Sequence, residues 1–179
     1  SALLTGEVDI ITNVPVPALD QLKASPDVEV YTAEGPRVIY VGMNTEKEGP
    51  LQNLKVRQAL NMAIDKDSIF QYILGGAGSS YGQPVGKTMT GYNPAVEPYP
   101  YDVTAAKALL AEAGYPNGFT IAFNCSPGRF SMDKEIAEAI ASQLSKIGVN
   151  AEIKTMDWAT FSKVRTSREM DGLFLTSLG

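Results

Sequence analysis

The stretch Gly82-Gln83-Pro84-Val85-Gly86-Lys87-Thr88 comes nearest to a recognisable chemical motif, a glycine loop closed by Lys-Thr that suggests phosphate. A phosphate-binding P-loop places four residues between its glycines, follows a strand and opens a helix, so that backbone N–H groups and the helix dipole hold the anion. Here three residues separate Gly82 from Gly86, Tyr81 stands where the first glycine belongs, and no apolar period starts after Thr88. Turn chemistry explains the residues better, and a nucleotide-binding enzyme built on Gly86-Lys87-Thr88 stays as the alternative reading. Gly75-Gly76-Ala77-Gly78 is a poorer match still to a dinucleotide loop, because it follows a helical pattern and Tyr81 takes the third glycine's place.

The remaining reactive side chains are few. There is no histidine, which removes Ser-His-Asp and Cys-His arrangements and the usual zinc sites. Cys125 is the sole cysteine, so no internal disulfide forms, and its position suits a small apolar filler at a strand end. Asn124-Cys125-Ser126 spells a glycosylation sequon, a pattern short enough to arise by chance. Asp65, Asp67, Asp102, Glu112 and Asp133 have no spacing that demands an acid pair; helix caps and solvated faces account for each. Trp158, the one tryptophan, is either a core residue or a cleft wall. Arg165, seven residues on and on the same helix face, is either a surface ion pair or a planar fork for a carboxylate. No cofactor or metal site is expected.

The elements that position these residues follow from periodicity. A turn feeding a short strand is expected between Leu3 and Val14, ended by Val14-Pro15-Val16-Pro17, and a short helix from Pro17 to Ala24. Val28–Ala33 and Arg37–Met43 read as strands split at Gly35-Pro36. Val56, Ala59, Leu60, Ala63 and Ile64 make one face of a helix, and Asp65 or Asp67 caps a second carrying Ile69, Phe70 and Ile73. Residues 75–100 form a long loop, packed through Tyr92, Tyr99 and Tyr101. Asp102 caps the next helix, which stops at Gly114. The strand Phe119–Phe123, a helix capped by Ser131 and lined by Ile136, Ile140, Leu144 and Ile147, and the strand Val149–Ile153 make a parallel crossover unit. Asp157 caps a helix with Trp158, Phe161 and Val164, and a strand at Gly172–Leu175 follows. The class is α/β with a mixed or mostly parallel sheet.

Length and charge agree with one domain or one lobe of something larger. The 179 residues hold 15 basic and 20 acidic side chains, and no basic patch of the kind a nucleic-acid binder carries. No apolar run is long enough to span a bilayer. The sequence stops on Thr176-Ser177-Leu178-Gly179 straight after an apolar strand and reads as a fragment.

Several segments share a pattern in order and spacing. Val56-Arg57-Gln58-Ala59-Leu60-Asn61-Met62-Ala63-Ile64-Asp65 resembles the signature helix of the family 5 extracellular solute-binding proteins. Tyr101-Asp102 through Ala105–Tyr115 to Gly118-Phe119 is similar to a second signature, and Ile136–Val149 to a third. Gly6-Glu7-Val8-Asp9-Ile10 and Met43-Asn44 also match. The resemblance implies one lobe of a two-lobed, type II periplasmic-binding-protein fold, a mixed sheet flanked by helices, in a receptor that closes around peptides or similar solutes and hands them to an ABC importer permease. Residues 1–36 would be a strip of the first lobe and linker, and residues 37–179 the truncated second lobe, with Arg37–Asn44 crossing the hinge. It implies no enzymatic activity. The receptor would be a monomer in the periplasm or lipid-anchored on the outer face of the cytoplasmic membrane, touching the membrane only through permease or anchor. By position, Trp158 would line the cleft, Arg165 would meet ligand carboxylates, and Tyr40 would face the ligand from the crossing strand. Phe174 stands where some peptide binders carry an arginine.

Overall fold

A computed structural model describes residues Ser1–Leu178; Gly179 lies outside the described residues. Four strands, β1 (Val38–Met43), β2 (Phe119–Cys125), β3 (Val149–Thr155) and β4 (Leu173–Leu178), form one mixed sheet in the order β1-β4-β2-β3. β2 runs parallel to both β3 and β4, and β1 runs antiparallel to β4. Around it lie α1 (Leu19–Lys23), α2 (Leu54–Met62), α3 (Lys66–Tyr72), α4 (Val103–Glu112), α5 (Asp133–Ser145) and α6 (Trp158–Thr166).

Strand alternation gives the sheet two different faces. Ile121, Phe123 and Cys125 of β2, Val149 and Ala151 of β3, and Leu173 and Leu175 of β4 point into one core. The apolar stripes of α2, α4 and α5 cover it through residues such as Val56, Leu60, Leu110, Ile136, Ile140 and Leu144. Gln143 ties α5 to the start of α3: its side-chain oxygen accepts from the Asp65 N–H at 2.6 Å and its amide donates to the Ser68 hydroxyl at 3.2 Å. The other face carries Tyr40, Gly42, Asn124, Phe174 and Thr176, and α6 crosses it with Phe161 fully buried beneath.

The caps expected of Asp65, Asp102 and Asp157 form, each carboxylate accepting a backbone N–H three residues on. The long 75–100 loop is packed, as Gln83 exchanges two hydrogen bonds with the Asn93 backbone. Three expectations fail. Residues 3–14 make a hydrogen-bonded turn, with Glu7 N–H donating to the Ala2 carbonyl at 2.9 Å, and no strand. Val28–Ala33 pairs with no strand among the described residues, and Ile10 and Tyr31 are 82% and 83% exposed. Apolar alternation makes a strand only where a neighbour supplies the ladder. Ser131 does not cap α5; the boundary residue is Met132, in the left-handed region at φ 58°.

Candidate functional site

The second face of the sheet brings the sequence-derived candidates into one neighbourhood. Tyr40 on β1 lies directly opposite Thr176 on β4, and Gly42 opposite Phe174. Paired residues in an antiparallel ladder project to the same side, so Tyr40, Phe174 and Thr176 share that face. Arg165, in the last turn of α6, donates from Nη1 to the Thr176 hydroxyl at 2.8 Å. Thr176 is wholly buried and Arg165 half-buried, so this contact anchors the helix to the sheet. The Phe174 ring occupies the space where a Gly42 side chain would be.

Trp158 opens α6, about 10 Å along the helix axis from Arg165 at 1.5 Å per residue. It stacks on the buried Phe161 with ring centroids 5.5 Å apart and meets Phe130 edge-on at 6.3 Å. The packing reading of Trp158 accounts for the inward side of its half-buried indole. The Arg129 guanidinium lies 4.6 Å from its ring centroid. Arg129 also sits 5.6 Å from the Phe130 ring, and Arg37, the residue before β1, sits 5.9 Å from the same ring.

The sequence reading missed Arg37, Arg129 and Phe130. The loop of Arg129 and Phe130 follows the carboxyl end of β2, where open α/β sheets characteristically bind ligands, and that placement was the available signal for those two. The loop is shaped by Asp133, 4% exposed, whose carboxylate accepts backbone N–H groups from Gly128 at 3.1 Å, Arg129 at 2.8 Å and Phe130 at 2.9 Å. Asp133 thus does more than favour the helix dipole. Two asparagines fix the neighbouring α6–β4 connection. Asn44 donates to the carbonyls of Arg168 and Met170, and buried Asn124 to those of Asp171 and Leu173. With its amide turned inward, Asn124 is no glycosylation acceptor.

The other candidates fall away. Cys125 is buried, and that burial pushes its thiol pKa up, away from the reactive thiolate. Gly86-Lys87-Thr88 is preceded by no strand and opens no helix; the Lys87 ammonium rests 5.8 Å from the Tyr81 ring instead. No metal-binding group of acidic or sulfur ligands occurs among the described residues, and no helix among them is long and apolar enough to cross a membrane.

A cavity of about 830 Å³ opens on the core side of β1, walled by residues 74–84 and by Ile39, Val41, Met43, Leu173 and Leu175. Trp158, Arg165 and Phe174 do not border it, although Tyr40 does. Its lining is mainly apolar. Arg37 lines part of the cavity, while Arg129, Phe130 and Trp158 do not.

Comparison with known proteins agrees with this geometry. The model of the bacterial extracellular solute-binding proteins, family 5 (middle region), matches residues 1–177. The heme-binding protein A of Haemophilus influenzae is 40% identical over 176 residues, 96% of this chain and 32% of that protein. The dipeptide-binding protein of Escherichia coli is 37% identical over 153 residues, 83% of this chain and 28% of that protein. A periplasmic binding protein from Helicobacter pylori, solved with the peptide STSA, superposes with a TM-score of 0.84 at 30% identity, covering 99% of this chain and 34% of that one. The chain thus spans about a third of the length of the relatives it matches. With the match running almost end to end and the mixed sheet superposing on a two-lobed receptor, this chain belongs to the bacterial extracellular solute-binding proteins, family 5.

Proposed function

We propose that this chain forms one wall of the ligand cleft in a receptor that captures small peptides or related solutes outside the cytoplasmic membrane for an ABC importer permease. The observation that carries the reading is Arg129: a guanidinium over the only tryptophan, at the carboxyl ends of parallel strands, with no ion-pair partner among the described residues. Such a group is a ready donor site for a ligand carboxylate, held flat by the indole and free to use its fork. Arg165 extends the wall, and Tyr40 and Phe174 add aromatic surface beside it.

In this reading residues 1–36 belong to the first lobe. Only Leu22 among them is buried, and none joins the main core, which supports the division. Residues 37–179 belong to the second lobe, and Arg37–Asn44 cross between the two. The receptor works as a monomer, in the periplasm or held by a lipid anchor, and binds without turnover. The names of the relatives, a heme binder and a dipeptide binder, support small-solute capture and leave the class broad.

The test is calorimetry on the full-length receptor with Ala-Ala and with Ala-Ala amide. The acid binds and the amide binds roughly tenfold to hundredfold more weakly, the range expected for one charge-assisted hydrogen-bonded pair. Arg129→Ala weakens the acid to the level of the amide. Equal binding of acid and amide, or hydrolysis of the peptide during titration, defeats the proposal.

A further inference from the structure

We infer that the solute carries a second, separated carboxylate, and that Arg37 holds it. The inference rests on the reading of Arg129 as the first carboxylate anchor.

The chain has five arginines. Arg57 donates to the carbonyls of Leu51 and Gln52, Arg165 to Thr176, and Arg168 to Glu46. Arg37 and Arg129 alone donate no side-chain hydrogen bond among the described residues and pair with no carboxylate there. They are also the two that sit around one ring, that of Phe130, at 5.9 and 5.6 Å. Phe130 is 9% exposed, and its backbone is held by Asp133, so the ring is a fixed platform. Asp133 is the one carboxylate of that loop, and its oxygens are occupied by backbone N–H groups.

Two exposed guanidinium ions beside one ring, with no acid between them, make a neighbourhood that favours an anion. The chain does not lack acids to place there, with 20 acidic against 15 basic residues. It leaves this pair open and pairs Lys55, Lys134 and Arg168 elsewhere. A single carboxylate satisfies one planar fork well. Two forks approaching from β1's entrance and from the β2 loop suit two carboxylates on one molecule. An acidic dipeptide and a non-peptide dicarboxylate share this chemistry.

The experiment uses the full-length receptor, wild type and Arg37→Gln, titrated with Ala-Glu, the neutral isostere Ala-Gln, and glutarate. Ala-Glu binds wild type about tenfold or more tighter than Ala-Gln, as expected for one added charged pair. Arg37→Gln abolishes that preference and leaves the Ala-Gln affinity unchanged; unchanged thermal unfolding shows that the exposed substitution leaves the fold intact. Glutarate binding that falls in Arg37→Gln, with neither peptide bound, retains the two-carboxylate site and overturns the peptide reading. Equal binding of Ala-Glu and Ala-Gln to wild type overturns this inference and leaves the receptor reading standing. An Arg37→Gln protein that loses both peptides equally overturns it too, and so does a wild-type protein that binds none of the three; the Ala-Ala titration then decides the receptor reading separately.

Discussion

Gly42 and Phe174 show how one residue's lack of a side chain sets another's position. The ring rests where a Cβ would stand, so Gly42→Ala must expel it from the face shared with Tyr40 and Thr176. We expect Gly42→Ala to lose about 1–3 kcal/mol of stability by overpacking, and Gly42→Ala with Phe174→Ala to recover part of that loss. Paired urea denaturations measure the coupling, and strictly additive losses would show that the ring and the alanine do not compete. Asp133 is a second such point. Removing its carboxylate strands three backbone N–H groups at the Arg129 loop, the Phe130 one buried. Asp133→Ala is expected to cost about 2–3 kcal/mol and to weaken ligand binding, because Arg129 loses its placement. Little of this was legible in the sequence. Ser131 offered the more familiar capping residue, while the observed arrangement depends on Met132 taking a left-handed backbone that side-chain type does not announce. Phe174 could be placed on its strand from alternation alone, but its contact with Gly42 needed the β1–β4 register.

At the scale of elements, α6 is held at both ends by polar contacts: Asp157 at its start and Arg165 to Thr176 near its finish. The Thr160 hydroxyl and N–H both donate to Asp157 and hold its pKa below the usual carboxylate value. A depressed carboxylate stabilises the fold above its unfolded pKa, about 4, and that contribution disappears as pH falls through the lowered folded value. Acid should therefore loosen the first turn of α6, beside Trp158. In the 179-residue chain Trp158 is the only indole, so its emission reports the change directly. Asp157→Asn, which keeps a side-chain oxygen acceptor, should flatten the acid dependence; an unaltered titration would place its origin elsewhere. The helices themselves were legible because three- and four-residue apolar spacing is local, as Val56, Ala59 and Leu60 illustrate. Residues 28–33 were not: their composition favours a strand, but a partner decides whether one forms, and sequence spacing carries no information about that partner.

On the scale of the whole molecule, the chain spans about a third of each relative's length. If the opposing lobe supplies the rest of the contacts, the isolated chain should bind any solute at least about a hundredfold more weakly than the full-length receptor, because two sets of contacts act together only when joined. Comparative calorimetry checks this, and equal affinities would confine the whole site to these residues. The family and the mixed α/β class were readable from dispersed signatures. The arginine-aromatic grouping was not, because residues 37, 129 and 158 meet only after the sheet forms.

The sheet has one uneven seam. β4 touches β2 through only two pairs, Phe123 with Leu173 and Asn124 with Phe174, yet it runs beside β1 along all six residues. Beyond those two rungs the β1–β4 pair runs on as a two-stranded ribbon, the arrangement that twists most, with Leu175 and Thr176 still buried. Tyr40 and Thr176 stand opposite each other on that ribbon, and the Arg165 hydrogen bond moors it to α6. What the missing β2 rungs leave unsecured is thus fastened from above, by the same helix that begins at Trp158.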